Sequence, residues 1–209
     1  MITDTMYIGS GDIHALLSGF DTVAYTNLIK RFVSGEKPYY NALASPIDAL
    51  RTGAIIESVF TKTLPFNYFG QYVVKSEDMD VFKASLDFAE IEAGKVKSFI
   101  ELKTISFDDF FDQLANIRDD QAELLKWVKK HKKIYYNQVQ EQLYCTGLDS
   151  ATICFVCVFT YDDEENWERE IKDNEIIRVT IPRDEAVIEQ IKQRGLIFQE
   201  IKDFHLKTK

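Results

Sequence analysis

The chain has 209 residues, 45% hydrophobic and 13% aromatic, enough apolar material for one sizeable core in a single domain over residues 1–209. A formal net charge of -9 excludes a protein that coats nucleic acid by bulk positive charge, and leaves open an enzyme whose site is acidic because it holds cations. The longest apolar run, ATICFVCVF at 151–159, is shorter than the roughly 18 residues of a membrane span, and the first residues carry no basic-then-apolar leader, so no membrane association and a cytoplasmic location are expected.

Helical patterns come first. Ser10 reads as the N-cap of a helix over 12–17 that stops at Ser18-Gly19, and a second helix over 23–33 ends at Ser34-Gly35. Ser45-Pro46 reads as the opening of a third, which carries Leu50, Gly53, Ile56 and Phe60 on one stripe, with Glu57 four residues after Gly53. The period then shortens. Strands are predicted over 71–75, 84–92 and 95–104, the last two joined at Ala93-Gly94 as an antiparallel hairpin. Helices follow over 107–117, 122–133 and 135–145, the last closed by Gly147. Two further strands, 152–160 and 176–181, flank an acidic loop at 162–166, and a helix from Asp184 to about Lys192 closes the pattern. Three cysteines are few and odd in number, which fits free thiols. Cys154 and Cys157, three apart on a strand, face opposite ways and read as core.

Within FIELKT (99–104), strand alternation sets Glu101 and Lys103 side by side on one face. Charges there mark either a half-exposed sheet face or a prepared chemical site. Asp87, on the other arm of the hairpin, joins them across one tight turn. Paired carboxylates repel, and a divalent cation with oxygen ligands relieves that repulsion. Five lysines among residues 126–133 form a local basic cluster, readable as a solvated helix end or as a phosphate contact.

Asp87-x13-Glu101-x-Lys103 resembles the core of the PD-(D/E)xK nuclease superfamily, with Leu86 in the place of the motif's proline. YIGSGDIH (7–14) resembles the opening helix of its lambda-exonuclease/YqaJ-like branch, and RTGAIIE (51–57) the G-x-x-x-E helix before the sheet. YYNQVQEQLY (135–144) resembles the branch's Q-x-Q helix and the Q-x-x-x-Y of RecB-type nucleases. The blocks stand in the family's order over residues 7–160.

This resemblance implies an α/β restriction-endonuclease-like core, a central mixed sheet with an antiparallel hairpin flanked by helices. It implies Mg²⁺, or Mn²⁺ in its place, held by Asp87, Glu101 and the Leu102 carbonyl, with Glu57 serving a second ion. Lys103 would serve the attacking water. Gln138, rather than Gln140 two positions on, would hold water or phosphate, because residues two apart on a helix diverge. Ser10 would grip a terminal 5′-phosphate, although residues 1–9 lack the arginine that accompanies it in that branch. Lys129, Lys130, Lys132 and Lys133 would line the DNA backbone. The implied activity is exonucleolytic hydrolysis of duplex DNA ends, 5′ to 3′, in phage-type recombination, by a homo-oligomer partnered with a single-strand annealing protein. A RecB-type or structure-selective nuclease, and a noncatalytic DNA-binding or interaction module, stay open beside it.

Overall fold

The computed structural model of the protein describes residues 6–35, 47–158 and 169–208. The expected helix opening at Ser45-Pro46, the side chain of Arg51 and the acidic loop at 162–166 lie outside the described residues. The first strand, β1, is Ile8–Gly9, followed by a 3-10 turn at Ser10–Asp12 and the helices α1 (Ile13–Leu16), α2 (Val23–Ser34) and α3 (Ile47–Thr61). Then come β2 (Tyr68–Lys75), β3 (Phe82–Glu92) and β4 (Lys95–Ser106). The helices α4 (Phe107–Asp109), α5 (Gln121–His131) and α6 (Lys133–Thr146) precede β5 (Ser150–Val158), β6 (Ile176–Pro182) and α7 (Glu185–Lys207).

The sheet has six strands in the order β1-β3-β4-β5-β6, with β2 on the free flank of β3. β4 and β5 run parallel, as do β1 and β3, and the remaining pairs are antiparallel, so the sheet is mixed as expected. The β3–β4 turn places Glu92 opposite Lys95, with Ala93 at φ 49° and Gly94 at φ 76°. Positive φ at both central residues is what a tight turn matching the twist of its strands requires.

Two apolar layers sandwich the sheet. One side is covered by α1, α2, α5, α6 and α7 over Phe82, Phe99, Leu143, Phe155 and Phe198. The other is covered by α3, whose Ile56, Val59 and Phe60 pack on Phe88, Leu102, Cys154 and Val156. β5 is buried on both faces, which explains its unbroken apolar sequence. Cys154 and Cys157 form no disulfide and are buried in opposite layers.

Several boundaries move. β2 begins at Tyr68 and β3 at Phe82, earlier than their apolar runs suggest. The stretch after β4 is helical to Ile117 but changes pitch, from α4 to a π turn at Phe110–Leu114 and a 3-10 turn at Ala115–Ile117. α5 stops at His131 because Lys132 leaves the helical region (φ -127°, ψ 40°), and Lys133 already opens α6. α7 runs through Gly195 to Lys207, far past 192.

Candidate active site

The hairpin register sets Phe88 opposite Ile100, and the next pair along would be Asp87 and Glu101. There the β3–β4 ladder stops. The strands part, and side chains take over the freed backbone groups: Leu102 N donates to Asp87 Oδ2 (2.8 Å), and Gln142 Nε2 donates to Ser85 O (3.0 Å). On the other flank, β2 and β3 pair at Gly70↔Phe88 and at Tyr72↔Leu86, passing over Gln71 and Asp87. Asp87 therefore sits where β3 gives up regular pairing on both sides.

The side-chain phase changes at the same step. Ala84 and Leu86 enter the layer beneath α6, whereas Phe88 enters the layer beneath α3. In β2, Tyr72 and Val74 pack against the first layer and Tyr68 against the second. Residues two apart on a regular strand share a face, so both strands change phase at the Gln71–Asp87 step. Asp87 consequently meets Glu101 on one side of the sheet and the field of Glu57, from α3, on the other.

Glu101 is fully buried. Its Oε1 accepts from Lys103 Nζ (2.5 Å) and Gln138 Nε2 (2.6 Å), and its Oε2 accepts from Gln142 Nε2 (2.6 Å). Three donors on one carboxylate replace the hydrogen bonds to water that burial removes. The half-buried Lys103 also lies over the Tyr135 ring, 5.1 Å from its centroid. Burial works against the Lys103 charge, yet the Glu101 and Asp87 carboxylates prevail and hold the ammonium above its ordinary value. Asp87 is raised as well, in its case against its charged form: desolvation, then Glu101, push it up to about 7 against the pull of Lys103 and the Leu102 N–H. Glu57 accepts from Gln71 Nε2 at 2.7 Å.

Asp87, Gln138, Gln71 and Ser85 line a cleft of about 650 Å³ whose far wall is built by the segment Gly9–Asp12, Arg31 of α2 and Lys83. Ser10 is in that wall, but not as an α-helix N-cap: it opens the 3-10 turn, and Gly9 is the residue that caps it. Its buried hydroxyl lacks a well-formed hydrogen bond, as does Oε2 of Glu141 behind it. Burial pushes Glu141 up to about 7, with Cys145 and Ser10 pulling it partly back. Arg31 pairs with Asp12. It brings a guanidinium beside Ser10 from a helix downstream in sequence, where residues 1–9 supply none.

Lys129, Lys130, Lys132 and Lys133 are not in the wall of this cleft. Lys129 approaches Asp184 (3.6 Å) and Lys132 approaches Asp109 (3.7 Å), while Lys130 and Lys133 are exposed at the α5–α6 junction. Gln140 turns away from Glu101, donating to Pro182 O (3.0 Å) and accepting from Asp184 N (2.8 Å). Tyr144 packs edge-on against Phe82. The Gln140-x-x-x-Tyr144 pattern thus serves the junction with α7 and the core. Gln142, one turn beyond Gln138, is the ligand of Glu101 that the sequence reading passed over; its spacing of four was the available signal.

Among the described residues, no group of three or more His, Cys, Asp and Glu side chains stands gathered for a metal ion. Asp87 and Glu101 converge, and Glu57 is tied to them through Gln71 and Ser85.

No protein-family model and no curated protein matches the chain. Solved structures do. The alkaline exonuclease LHK-Exo from Laribacter hongkongensis superposes with a TM-score of 0.63 at 14% identity, over 98% of this chain and 91% of that one. The same exonuclease in complex with dAMP gives 0.62 at 15% identity, over 99% and 93%. A phage-related exonuclease from Haemophilus somnus 129PT gives 0.54 at 17%, over 97% and 96%. The chain has the restriction-endonuclease-like fold of these exonucleases, the fold that its sequence motifs resemble.

Proposed function

We propose that the protein is a divalent-metal-dependent exonuclease that hydrolyses DNA from its ends. The observation that carries this reading is the convergence of Asp87, Glu101 and Lys103 at the point where β3 and β4 part, with Gln138 reaching the same place from α6 and Glu57 linked to it from α3 through Gln71. The donor set is all oxygen and suits Mg²⁺ or Mn²⁺. A partly buried Asp87 carboxyl whose proton is held up to about 7 by desolvation and by Glu101 is a group that a cation would relieve. Asp87, Glu101 and the Leu102 carbonyl would hold the ion, with Glu57 toward a second. Bound there, the ion would make water a nucleophile at neutral pH and take up charge on the phosphate.

The protein's own groups supply the rest. Lys103 stays cationic, orients the water and neutralises charge developing on the scissile phosphate. Gln138 fixes the Glu101 carboxylate at the cleft. Ser10 and Arg31 form the end of the cleft where a terminal phosphate can be gripped, a guanidinium fork being suited to that group. This supports action on chain ends and a 5′-to-3′ direction, and the dAMP complex of LHK-Exo supports a nucleotide-sized occupant. Lys129, Lys130, Lys132 and Lys133 would meet the duplex backbone farther out. A homo-oligomer that works with a single-strand annealing protein in phage-type recombination completes the reading.

The test uses linear duplex DNA labelled separately at its 5′ and 3′ ends. With Mg²⁺ the 5′ label is released first, and release stops in EDTA and in Lys103→Ala. Degradation that continues in both rejects the assignment; early release of the 3′ label alone rejects the direction.

A further inference from the structure

Among the described residues, two that are not glycine have positive φ, Gln71 (50°) and Ala93 (49°). Ala93 lies in the hairpin turn, where the geometry demands it. Gln71 lies in the middle of β2, where a residue with a Cβ adopts the left-handed region only at a cost. The strand also loses a rung there, since Gly70 and Tyr72 pair with β3 and Gln71 does not.

What the distortion gains is the direction of one side chain. Gln71 Nε2 donates to Glu57 Oε1 at 2.7 Å, and Gln71 Oε1 accepts from Ser85 Oγ at 3.2 Å. From Ser85 the contacts continue through Gln142 to Glu101. Gln71 is thereby the link between the glutamate carried on α3 and the acids carried on the hairpin, and it faces Asp87 across the missing rung. An uninterrupted strand would place residue 71 in the ladder, with its side chain in step with its neighbours.

We propose that Gln71 is a positioning residue whose left-handed backbone aims its amide at Glu57, and that it thereby sets how tightly Glu57 takes up a divalent cation beside Asp87. The inference rests on the metal-site reading above. It separates from an ordinary structural role because glycine adopts φ near +50° without strain. In a merely structural role, the Gln71→Gly variant is neutral or stabilising and leaves ion binding alone. In a positioning role, stability and ion binding part company.

The experiment is calorimetric titration of the full chain with Mn²⁺, together with thermal melting without metal, for wild type, Gln71→Gly, Glu57→Gln and the double variant. Gln71→Gly is expected to melt at or above the wild-type temperature and to bind Mn²⁺ about tenfold more weakly, the scale of loss for an outer partner of a metal ligand. The double variant is expected to bind as Glu57→Gln alone, because Gln71 acts through Glu57. Wild-type protein that takes up no Mn²⁺ overturns both readings. Wild-type uptake left unchanged by Gln71→Gly, or equal losses from Gln71→Gly with and without Glu57, overturns this one alone.

Discussion

Gln142 donates through Nε2 to Glu101 Oε2 at 2.6 Å, one helical turn beyond Gln138, which holds the other oxygen of the same carboxylate at 2.6 Å. Both residues of the Gln142–Glu101 pair are fully buried. Replacing Gln142 by alanine strips a donor from a buried anion, and the expected cost is about 1–3 kcal/mol of stability together with reduced nuclease activity. Urea denaturation and a turnover assay check this; stability within about 0.5 kcal/mol of wild type contradicts it.

Lys103 is bonded to Glu101 at 2.5 Å, and its charge also acts on Asp87. Its proton is held by the carboxylates, so it works as a charge and a donor. Lys103→Ala is expected to lower kcat about 10²–10⁴-fold, with DNA affinity changed far less. Single-turnover rates at saturating DNA separate the two. A variant that loses DNA binding but keeps its rate assigns Lys103 to binding.

Asp87 gives a pH signature. Its folded pKa is pushed up to about 7 from 3.8, by burial and then by Glu101. The unfolded chain therefore gives up this proton at lower pH than the native protein does. Metal-free stability consequently falls as pH rises from about 4 through about 7 and levels off above. Asp87→Asn removes that loss, so its gain in Tm over wild type is expected to be larger at pH 8 than at pH 5. Melting curves in EDTA check the sign, and a gain that is larger at pH 5 refutes it.

Gly195 is required by a ring. A Cβ at that position would stand 2.4 Å from Cε2 and Cζ of the fully buried Phe82. Gly195→Ala is expected to cost about 1–3 kcal/mol although alanine is the better helix former, and Phe82→Leu in the same chain is expected to return part of that loss. A double-mutant cycle by chemical denaturation measures the coupling.

The legible parts of the fold and site were the local ones. Ala93-Gly94 marks the hairpin, which brings Asp87 to the arm that carries Glu101 and Lys103 on one face; the one-residue shift between Glu90 and Ile91 that aligns Asp87 with Glu101 instead of Ile100 has no mark in the sequence. Helix geometry keeps Gln138 and Gln140 from sharing one place, and strand alternation puts Cys154 and Cys157 in opposite layers. What escaped depends on partners distant in the chain. No local pattern marks Gln71 for a left-handed backbone, because the gain comes from Glu57 and Ser85. Arg31 reaches the cleft only once α2 docks beside the turn at Ser10. The closing helix, expected to stop near Lys192, runs on through Gly195, where the ring of the distant Phe82 leaves no room for a side chain. The lysines around the α5–α6 junction, conspicuous as a cluster, are drawn partly to Asp184 and Asp109 instead of to the cleft.

The break at Gln71 also bears on how copies of the chain avoid one another. Among the described residues β2 has β3 as its sole neighbour, and it presents Phe69 and Val73 half exposed on either side of Gln71. An uninterrupted greasy margin of that kind invites a second molecule to zip on and begin a fibril. The left-handed residue midway kinks the row of outward N–H and C=O groups, so a newcomer finds only short stretches to grasp. The distortion that aims an amide at Glu57 thus doubles as a guard against aggregation.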